Sequence, residues 1–305
     1  MAQHAAVSPL LHSTRDEVDL VAFPVFVLIN LAEGRSSVLP NWSMRRLHKL
    51  RPGQLKSWIE QTGVTRLLLP PALCETLAQT DMPAQVTSLF TGGGPVFPDL
   101  IARLKARAPR LRIVSVYGST EAEPIADLDA ADVTPEDLEA MQTGKGLLAG
   151  APVSMIDLRI VDQEIVVSGA HVNESYLDPA RNAETKISDG GKVWHRTGDA
   201  GYLDSQGRVW LLGRAGSAVR VADGQLYPFA IETAARLWPG VDRAALADTG
   251  KGPVLAIQGN ASHQGGWAEK AAEFGIAQVK PVPQIPLDRR HRSKVDYTAL
   301  GKILR

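Results

Sequence analysis

Along the first 130 residues the apolar positions fall into two rhythms. Val64 to Leu69 (VTRLLL) and Arg112 to Val116 (RIVSV) are continuous apolar runs of strand length, and Leu20 to Ile29 reads the same way. Leu55 to Gln61 and Asp99 to Arg107 instead space their apolar residues at helical intervals, and Pro98-Asp99 supplies a helix start. Strands alternating with helices predict an α/β layer up to about Asp127. Thr134-Pro135-Glu136-Asp137 opens a short helix, after which Gly144, Gly146 and Gly150 mark a change of texture.

From Pro152 to Leu212 the pattern predicts short strands at Leu158 to Val161, Ile165 to Val167, around Trp194 and Tyr202, and at Val209 to Leu212. Asp189-Gly190-Gly191 and Asp204-Ser205-Gln206-Gly207 are the expected turns. After Gly213-Arg214 a mixed pattern returns, with a helix over Pro228 to Leu237 and strands at Ala244 to Ala247 and Pro253 to Ile257. The expected division is therefore 1–142, an α/β unit; 143–212, a β-rich unit; and 213–305, an α+β unit.

Composition narrows the function classes. With 33 basic and 33 acidic side chains in 305 residues, the formal net charge is zero, which disfavours nucleic acid or an anionic membrane surface as partner. A small molecule is the better expectation. The single cysteine, Cys74, can form no internal disulfide and has no zinc-ligand spacing around it. The most apolar stretch, Leu20 to Ala32, is too short to span a bilayer and is broken by Pro24, and no leader pattern precedes it. A cytoplasmic location is the expectation.

Four short segments carry chemistry. Thr91-Gly92-Gly93-Gly94-Pro95 follows an apolar run, and its glycines let backbone approach a flat ligand closely; a plain strand-to-helix turn would look the same. Val116-Tyr117-Gly118-Ser119-Thr120-Glu121 offers an aromatic face, hydroxyls and a carboxylate within a few residues, enough to stack a base, bond a phosphate and hold Mg²⁺, although a strand end with a helix cap fits too. Trp194-His195-Arg196-Thr197-Gly198-Asp199 reads as a tight turn whose carboxylate can accept from ribose hydroxyls, or as a β-turn with an Asp cap. The fourth comprises Gly213-Arg214, Arg220, Gly224 and the basic run Pro286 to Lys294 (PLDRRHRSK), which alone would be a solvated surface.

In this order the segments resemble the core motifs of the adenylate-forming superfamily, which includes acyl-CoA synthetases, peptide-synthetase adenylation domains and luciferases. The resemblance extends from about Val18 to the end of the chain. It implies part of a large α/β domain, then a small β-barrel-like module, then a small mobile α+β domain. It implies ATP/AMP and Mg²⁺ as cofactors and a carboxylic acid as substrate. It places Gly92, Gly93 and Gly94 on the adenine pocket; Tyr117, Gly118 and Ser119 on adenine and its surroundings; Thr120 on the α-phosphate; Glu121 on Mg²⁺; Asp199 on the ribose; Arg214 at the domain junction; and Lys294 as the mobile catalytic lysine. Asp19-Leu20…Phe23-Pro24-Val25-Phe26, Val193 to Arg196 and Asp288 to Lys294 resemble the branch that activates long-chain or β-hydroxy acids, including β-lactone synthetases of olefin synthesis. The acceptor would be CoA, a carrier thiol or the acid's own hydroxyl.

Two departures qualify this. The family's hydroxyl-rich loop ending in Pro-Lys, which holds the β- and γ-phosphates, has no counterpart here; Thr143-Gly144-Lys145-Gly146 lacks its features. Gly216 stands two residues past the junction arginine, where relatives carry Asp or Lys, and Arg220 replaces a common lysine. Two expectations follow: a truncated or split acid-activating enzyme, needing an amino-terminal half or an oligomeric partner, or a nucleotide-binding remnant. In either case the strands at Leu20 to Ile29 and Leu67 to Leu69 are expected to leave apolar surface uncovered.

Overall fold

Proline begins most of the helices. The computed structural model describes residues 1–221, 224–250, 252–288 and 292–305. After α1 (Ala2–Val7), seven successive helices carry proline at their start: α2 (Pro24–Ala32), α3 (Pro52–Gln61), α4 (Pro71–Leu77), α5 (Pro98–Arg107), α6 (Pro135–Gln142), α7 (Pro179–Thr185) and α8 (Pro228–Arg236). At that position the ring's fixed φ already suits a helix, and the missing N–H would have had no intrahelical partner. Thr134 and Asp137 add a reciprocal capping box to α6.

The first strands are β1 (Val18–Val21), β2 (Ser36–Val38), β3 (Arg66–Leu69), β4 (Ser88–Gly92) and β5 (Arg112–Ser119), which pair in parallel in the order β2-β1-β3-β4-β5. Their continuous apolar runs arise because both faces of this sheet are covered. Leu67 and Leu69 meet Leu55, Ile59, Leu73 and Leu104 of α3, α4 and α5 on one side. Leu68, one residue out of phase, meets Val7, Leu11, Phe26 and Ile29 on the other.

That packing corrects two expectations. Leu20 to Ile29 is not one strand: β1 ends at Val21 and α2 begins at Pro24, which cannot donate to a ladder. The strands are not bare either, since Leu20, Leu67 and Leu69 are fully buried; the large apolar side chains exposed next to them are Leu28 and Leu31 of α2, at 67% and 69%. Asp19 and Arg66, opposite each other on β1 and β3, form a buried bidentate pair at 2.7 and 2.8 Å. Arg66 also donates to the Leu11 carbonyl at 2.8 Å, which fastens the amino-terminal segment to the sheet.

From β6 (Ala122–Asp129) onward the pairing within this sheet is antiparallel. β7 (Leu147–Pro152), β8 (Asp157–Val161), β9 (Glu164–Ser168), β10 (Lys186–Asp189), β11 (Lys192–Leu203) and β12 (Val209–Arg214) continue the same sheet in the order β5-β6-β7-β12-β11-β9-β8, with β10 on β11. The β-rich region is thus hydrogen-bonded to the α/β layer through Ala126–Pro152 and Asp127–Ala151.

Past Arg214 lie a hairpin of β13 (Val219–Val221) and β14 (Gly224–Leu226) and a three-stranded sheet of β15 (Val241–Asp248), β16 (Pro253–Gly259) and β17 (Gln278–Pro281). Helix α8 packs on that sheet together with α9 (Gln264–Glu273) and α10 (Tyr297–Leu304). The mixed α/β class read from the sequence is the one observed. Among the described residues no helix is long and apolar enough to cross a membrane.

Glu232 of α8 is buried under this sheet and accepts from the Leu246 N–H at 3.0 Å and the Tyr297 hydroxyl at 2.7 Å. Burial pushes its carboxyl up to about 7, against the opposing pull of those two donors and Arg236. Because the folded value lies above the ordinary 4.5, this group favours the fold at low pH, and that contribution is lost as pH rises through 7. Relative to Glu232→Gln, the wild type should lose about 3 kcal/mol of unfolding free energy between pH 5 and pH 8. Urea unfolding at several pH values measures this; parallel profiles for the two proteins would refute it.

Candidate active site

The carboxyl ends of β4 and β5 meet at the site, where an open α/β sheet presents its ligand crevice. Gly92 closes β4 opposite Val116, and a Cβ there would stand 2.4 Å from the Val116 carbonyl oxygen, so only glycine allows the two strands to pair at this point. Gly93 has φ +75° and lies against the Phe23 ring. Gly94 faces a distant part of the chain: a Cβ there would be 2.6 Å from Cβ of Ser293.

The expectation that β5 ends before Tyr117 is corrected. The strand runs on through Tyr117, Gly118 and Ser119, and Thr120 and Glu121 make the hairpin turn into β6, leaving no helix to cap. The ladder to β6 holds Tyr117 rigidly, and its hydroxyl donates to Asp199 Oδ2 at 2.9 Å. Burial, followed by the Asp199 charge, keeps the phenol well above its usual range, so it remains a donor.

Asp199 is not on a turn either. It lies inside β11, whose register on β9 shifts between Arg196 and Ala200 while Gly198 takes φ +73°. Such a bulge re-aims a side chain without ending the strand. Glu164 of β9 accepts from the Gly198 N–H at 2.9 Å and from Arg196 Nε at 2.7 Å, and Thr197 Oγ1 accepts from the Asp199 N–H at 3.1 Å. Arg214, last in β12, donates through Nη1 to Asp199 Oδ1 at 2.9 Å and to the Thr197 carbonyl at 3.1 Å. Tyr117, Asp199 and Arg214 thus form one cluster. A carboxylate has about four lone-pair sites, so two remain on Asp199 for further donors.

Glu121 forms a second cluster. Its Oε1 accepts from the Tyr176 hydroxyl at 2.8 Å. Asn182 of α7 fixes Tyr176 by bonding both its N–H and its carbonyl. Lys186 and His195 face each other across β10 and β11, with Nζ 3.3 Å from Nδ1. Burial raises the Glu121 carboxyl, but the Tyr176 hydroxyl, a backbone N–H and the nearby His195 outweigh it, so the net shift is downward. His195 is lowered by burial and then by Lys186, which favours neutral imidazole. Thr120 is exposed at the tip of the turn. Among the described residues no group of three His, Cys, Asp or Glu side chains is placed to hold a metal. A single ionised carboxylate beside hydroxyls nonetheless fits Mg²⁺, which binds through one or two carboxylates plus phosphate oxygens.

Lys294 approaches from the carboxyl-terminal unit. Asp288 Oδ1 accepts from the Ser293 and Lys294 N–H groups, each at 3.0 Å, and its own N–H donates to the Lys294 carbonyl at 2.8 Å. Ser293 lies against Gly94, and Lys294 is exposed. Arg289, Arg290 and His291 of the predicted basic run lie outside the described residues. Gly216 follows Arg214 in open space, Arg220 sits in β13, and Gly224 starts β14.

What keeps the carboxyl-terminal unit there escapes sequence reasoning. Arg236 of α8, its side chain 3% exposed, donates to both oxygens of Asp99 at 2.7 and 2.9 Å and lies over the Phe97 ring at 4.5 Å. Glu75 of α4 gathers Arg103, Arg243 and Arg236 at 2.9, 3.3 and 3.4 Å. Tyr176, Glu164 and this ion cluster were all missed. Only the Asp178-Pro179 helix start near Tyr176 gave a local signal, and it said nothing of contact with Glu121.

Residues 21–177 match the model of a family described as AMP-binding enzyme. An olefin beta-lactone synthetase of Stenotrophomonas maltophilia is 32% identical over 93% of this chain and 59% of its own length. An amide bond synthetase from Marinactinospora thermotolerans superposes with a TM-score of 0.77 at 21% identity, covering 99% of this chain and 64% of the other. O-succinylbenzoate Coenzyme A synthetase of Bacillus subtilis in complex with AMP gives 0.73 at 21% identity, covering 97% and 63%. The chain thus spans less than two thirds of these relatives' length.

Asp99→Ala would leave the Arg236 guanidinium buried without its main counter-charge, a change that typically costs about 3 to 5 kcal/mol. The carboxyl-terminal unit should then undock, and proteolytic cleavage between residues 214 and 218 should accelerate at least tenfold. Cleavage at the wild-type rate would show that this ion cluster does not set the docked arrangement.

Proposed function

The chain belongs to the AMP-binding enzyme family, and from that premise we propose that it takes part in ATP-dependent activation of a carboxylic acid as its acyl-adenylate. The observation that carries this reading is the Asp199 carboxylate, held between Tyr117 and Arg214 with acceptor capacity left over, at the carboxyl ends of the parallel strands. Asp199 accepts from the ribose hydroxyls, and the Tyr117 ring and the Gly92 to Gly94 backbone bracket adenine. Thr120 meets the α-phosphate. Glu121 is the ligand the chain offers Mg²⁺, and bound Mg²⁺ would neutralise phosphate charge.

Lys294 acts in the chemical step. Its ammonium, carried in on the Asp288 loop, neutralises charge developing between the acid carboxylate and the α-phosphate, a role that a pre-positioned donor fills in the transition state. Arg214, bonded to Asp199 beside the open Gly216, marks the pivot. The acid is read as a fatty or β-hydroxy acid, from the similarity to the beta-lactone synthetase. The acceptor would be CoA, a carrier thiol or that acid's own hydroxyl.

Residues 1–305 include no hydroxyl-rich loop ending in Pro-Lys, so the grip on the β- and γ-phosphates is proposed to come from outside them, as in a split enzyme. The same observation favours a second reading, a nucleotide-binding module without turnover.

The two readings separate by experiment. AMP should bind these residues, and Asp199→Ala should weaken binding tenfold or more, since hydrogen bonds to a charged group contribute about 1.5 to 3 kcal/mol each. Unchanged affinity by calorimetry would remove the ribose role. The 305 residues alone should not exchange pyrophosphate into ATP in the presence of acid. With the missing half supplied in trans, Lys294→Ala should slow adenylate formation by about 10² to 10³ while moving stability by no more than about 0.5 kcal/mol. Equal slowing of thiol transfer from a pre-made adenylate would assign Lys294 a structural role instead.

A further inference from the structure

Two residues beyond Glu121 stands a second glutamate, which neither cluster uses. Glu123 is the second residue of the return strand β6, and its Cα would lie 3.3 Å from a Cβ on Gly118, so it flanks the strand that carries Tyr117. It lines a narrow cavity of about 20 Å³ whose other walls are mostly apolar, with Phe23, Phe26, Phe90, Leu10 and Leu11 among them and Thr91 the one other polar side chain. Gly92, next to the glycines facing the nucleotide cluster, borders the same cavity.

Among the described residues the Glu123 carboxylate has no hydrogen-bond or ion-pair partner, whereas Glu121 has the Tyr176 hydroxyl and Glu164 has Arg196 and the Gly198 N–H. A carboxyl group facing an apolar wall without a donor is costly, and a donor brought by a ligand removes that cost. The cavity has room for about one water-sized group, which limits the donor to something as small as a hydroxyl or amine. An ammonium would have to be stripped of water itself, a far larger penalty than for a neutral hydroxyl.

Resting on the acid-activating reading above, we propose that Glu123 is a specificity-determining residue: its carboxylate accepts a hydrogen bond from a hydroxyl carried close to the carboxyl group of an otherwise apolar acid. The position near the carboxyl group follows from the cavity's walls. Gly92 and Val116 adjoin Gly93 and Tyr117, so a chain leaving the α-phosphate reaches Glu123 within its first few carbons.

The test compares non-hydrolysable acyl-sulfamoyl adenosines bearing decanoyl, 3-hydroxydecanoyl and 3-aminodecanoyl groups, titrated by calorimetry into the 305-residue protein. The wild type should bind the 3-hydroxy compound about tenfold more tightly than the unsubstituted one, as expected for one hydrogen bond to a carboxylate. Glu123→Leu should erase or invert that preference, and Glu123→Gln, nearly the same shape with an acceptor retained, should keep part of it. Equal binding of the hydroxy and unsubstituted compounds by the wild type needs no variant to interpret, and it overturns the assignment while the nucleotide reading stands. Preference for the amino compound, or a hydroxyl preference that survives in Glu123→Leu, overturns it too. If neither AMP nor any of the three compounds binds, the acid-activating reading itself fails and this inference falls with it.

Discussion

One carboxylate ties the structure together. Asp199 takes a hydrogen bond from Tyr117 on the last parallel strand and another from Arg214 on the strand that leads out of the sheet. The parallel layer, the antiparallel extension and the start of the carboxyl-terminal unit therefore converge on two oxygen atoms. With the Tyr117 phenol kept protonated and the Arg214 guanidinium always charged, both donors persist across the physiological range. Charge-assisted bonds of this kind fix geometry as well as energy, so the site is pre-arranged before any ligand arrives. The bulge at Gly198 is the local cost of that aim, and Glu164 offsets it by satisfying the displaced backbone.

Much of the fold was legible because it depends on short-range rules. The strand runs at Val64 to Leu69 and Arg112 to Val116, the proline-led helices and the capping box at Thr134 are written within a few residues of where they act. Leu20 to Ile29 was misread because one apolar stretch serves two elements in turn. Its residues are buried on both faces of β1 and by the helical period on α2, and only Pro24 marks the change. The candidate site was legible as a set of segments, and the structure brings Tyr117, Asp199 and Arg214 into contact and sets Ser293, next to Lys294, on Gly94. Its supports were not legible. Tyr176 reaches Glu121 across 55 residues, and Arg236 reaches Asp99 across 137, with no periodic or local signal to announce either pair.

The docked carboxyl-terminal unit combines strong and weak fastening. Arg236, itself buried against the Phe97 ring, pairs with Asp99, and the pair resists separation because parting would strand the guanidinium charge. Around it, Arg103 and Arg243 share Glu75 in more open surroundings, where single ion pairs contribute little. At the junction, the place a side chain on Gly216 would take is open space. Docking is thus governed by a few side chains far from the linker rather than by stiffness in it.

Gly94 shows where this leads. Its backbone does not require the left-handed region, so the usual reason for a glycine does not apply. What it provides is an empty space into which Ser293 fits. Even a methyl group there would act as a wedge, holding the Asp288 loop off the sheet by the width of one carbon while leaving the nucleotide side of the cleft as it is. How closely the two units meet would then be decided by an absent side chain.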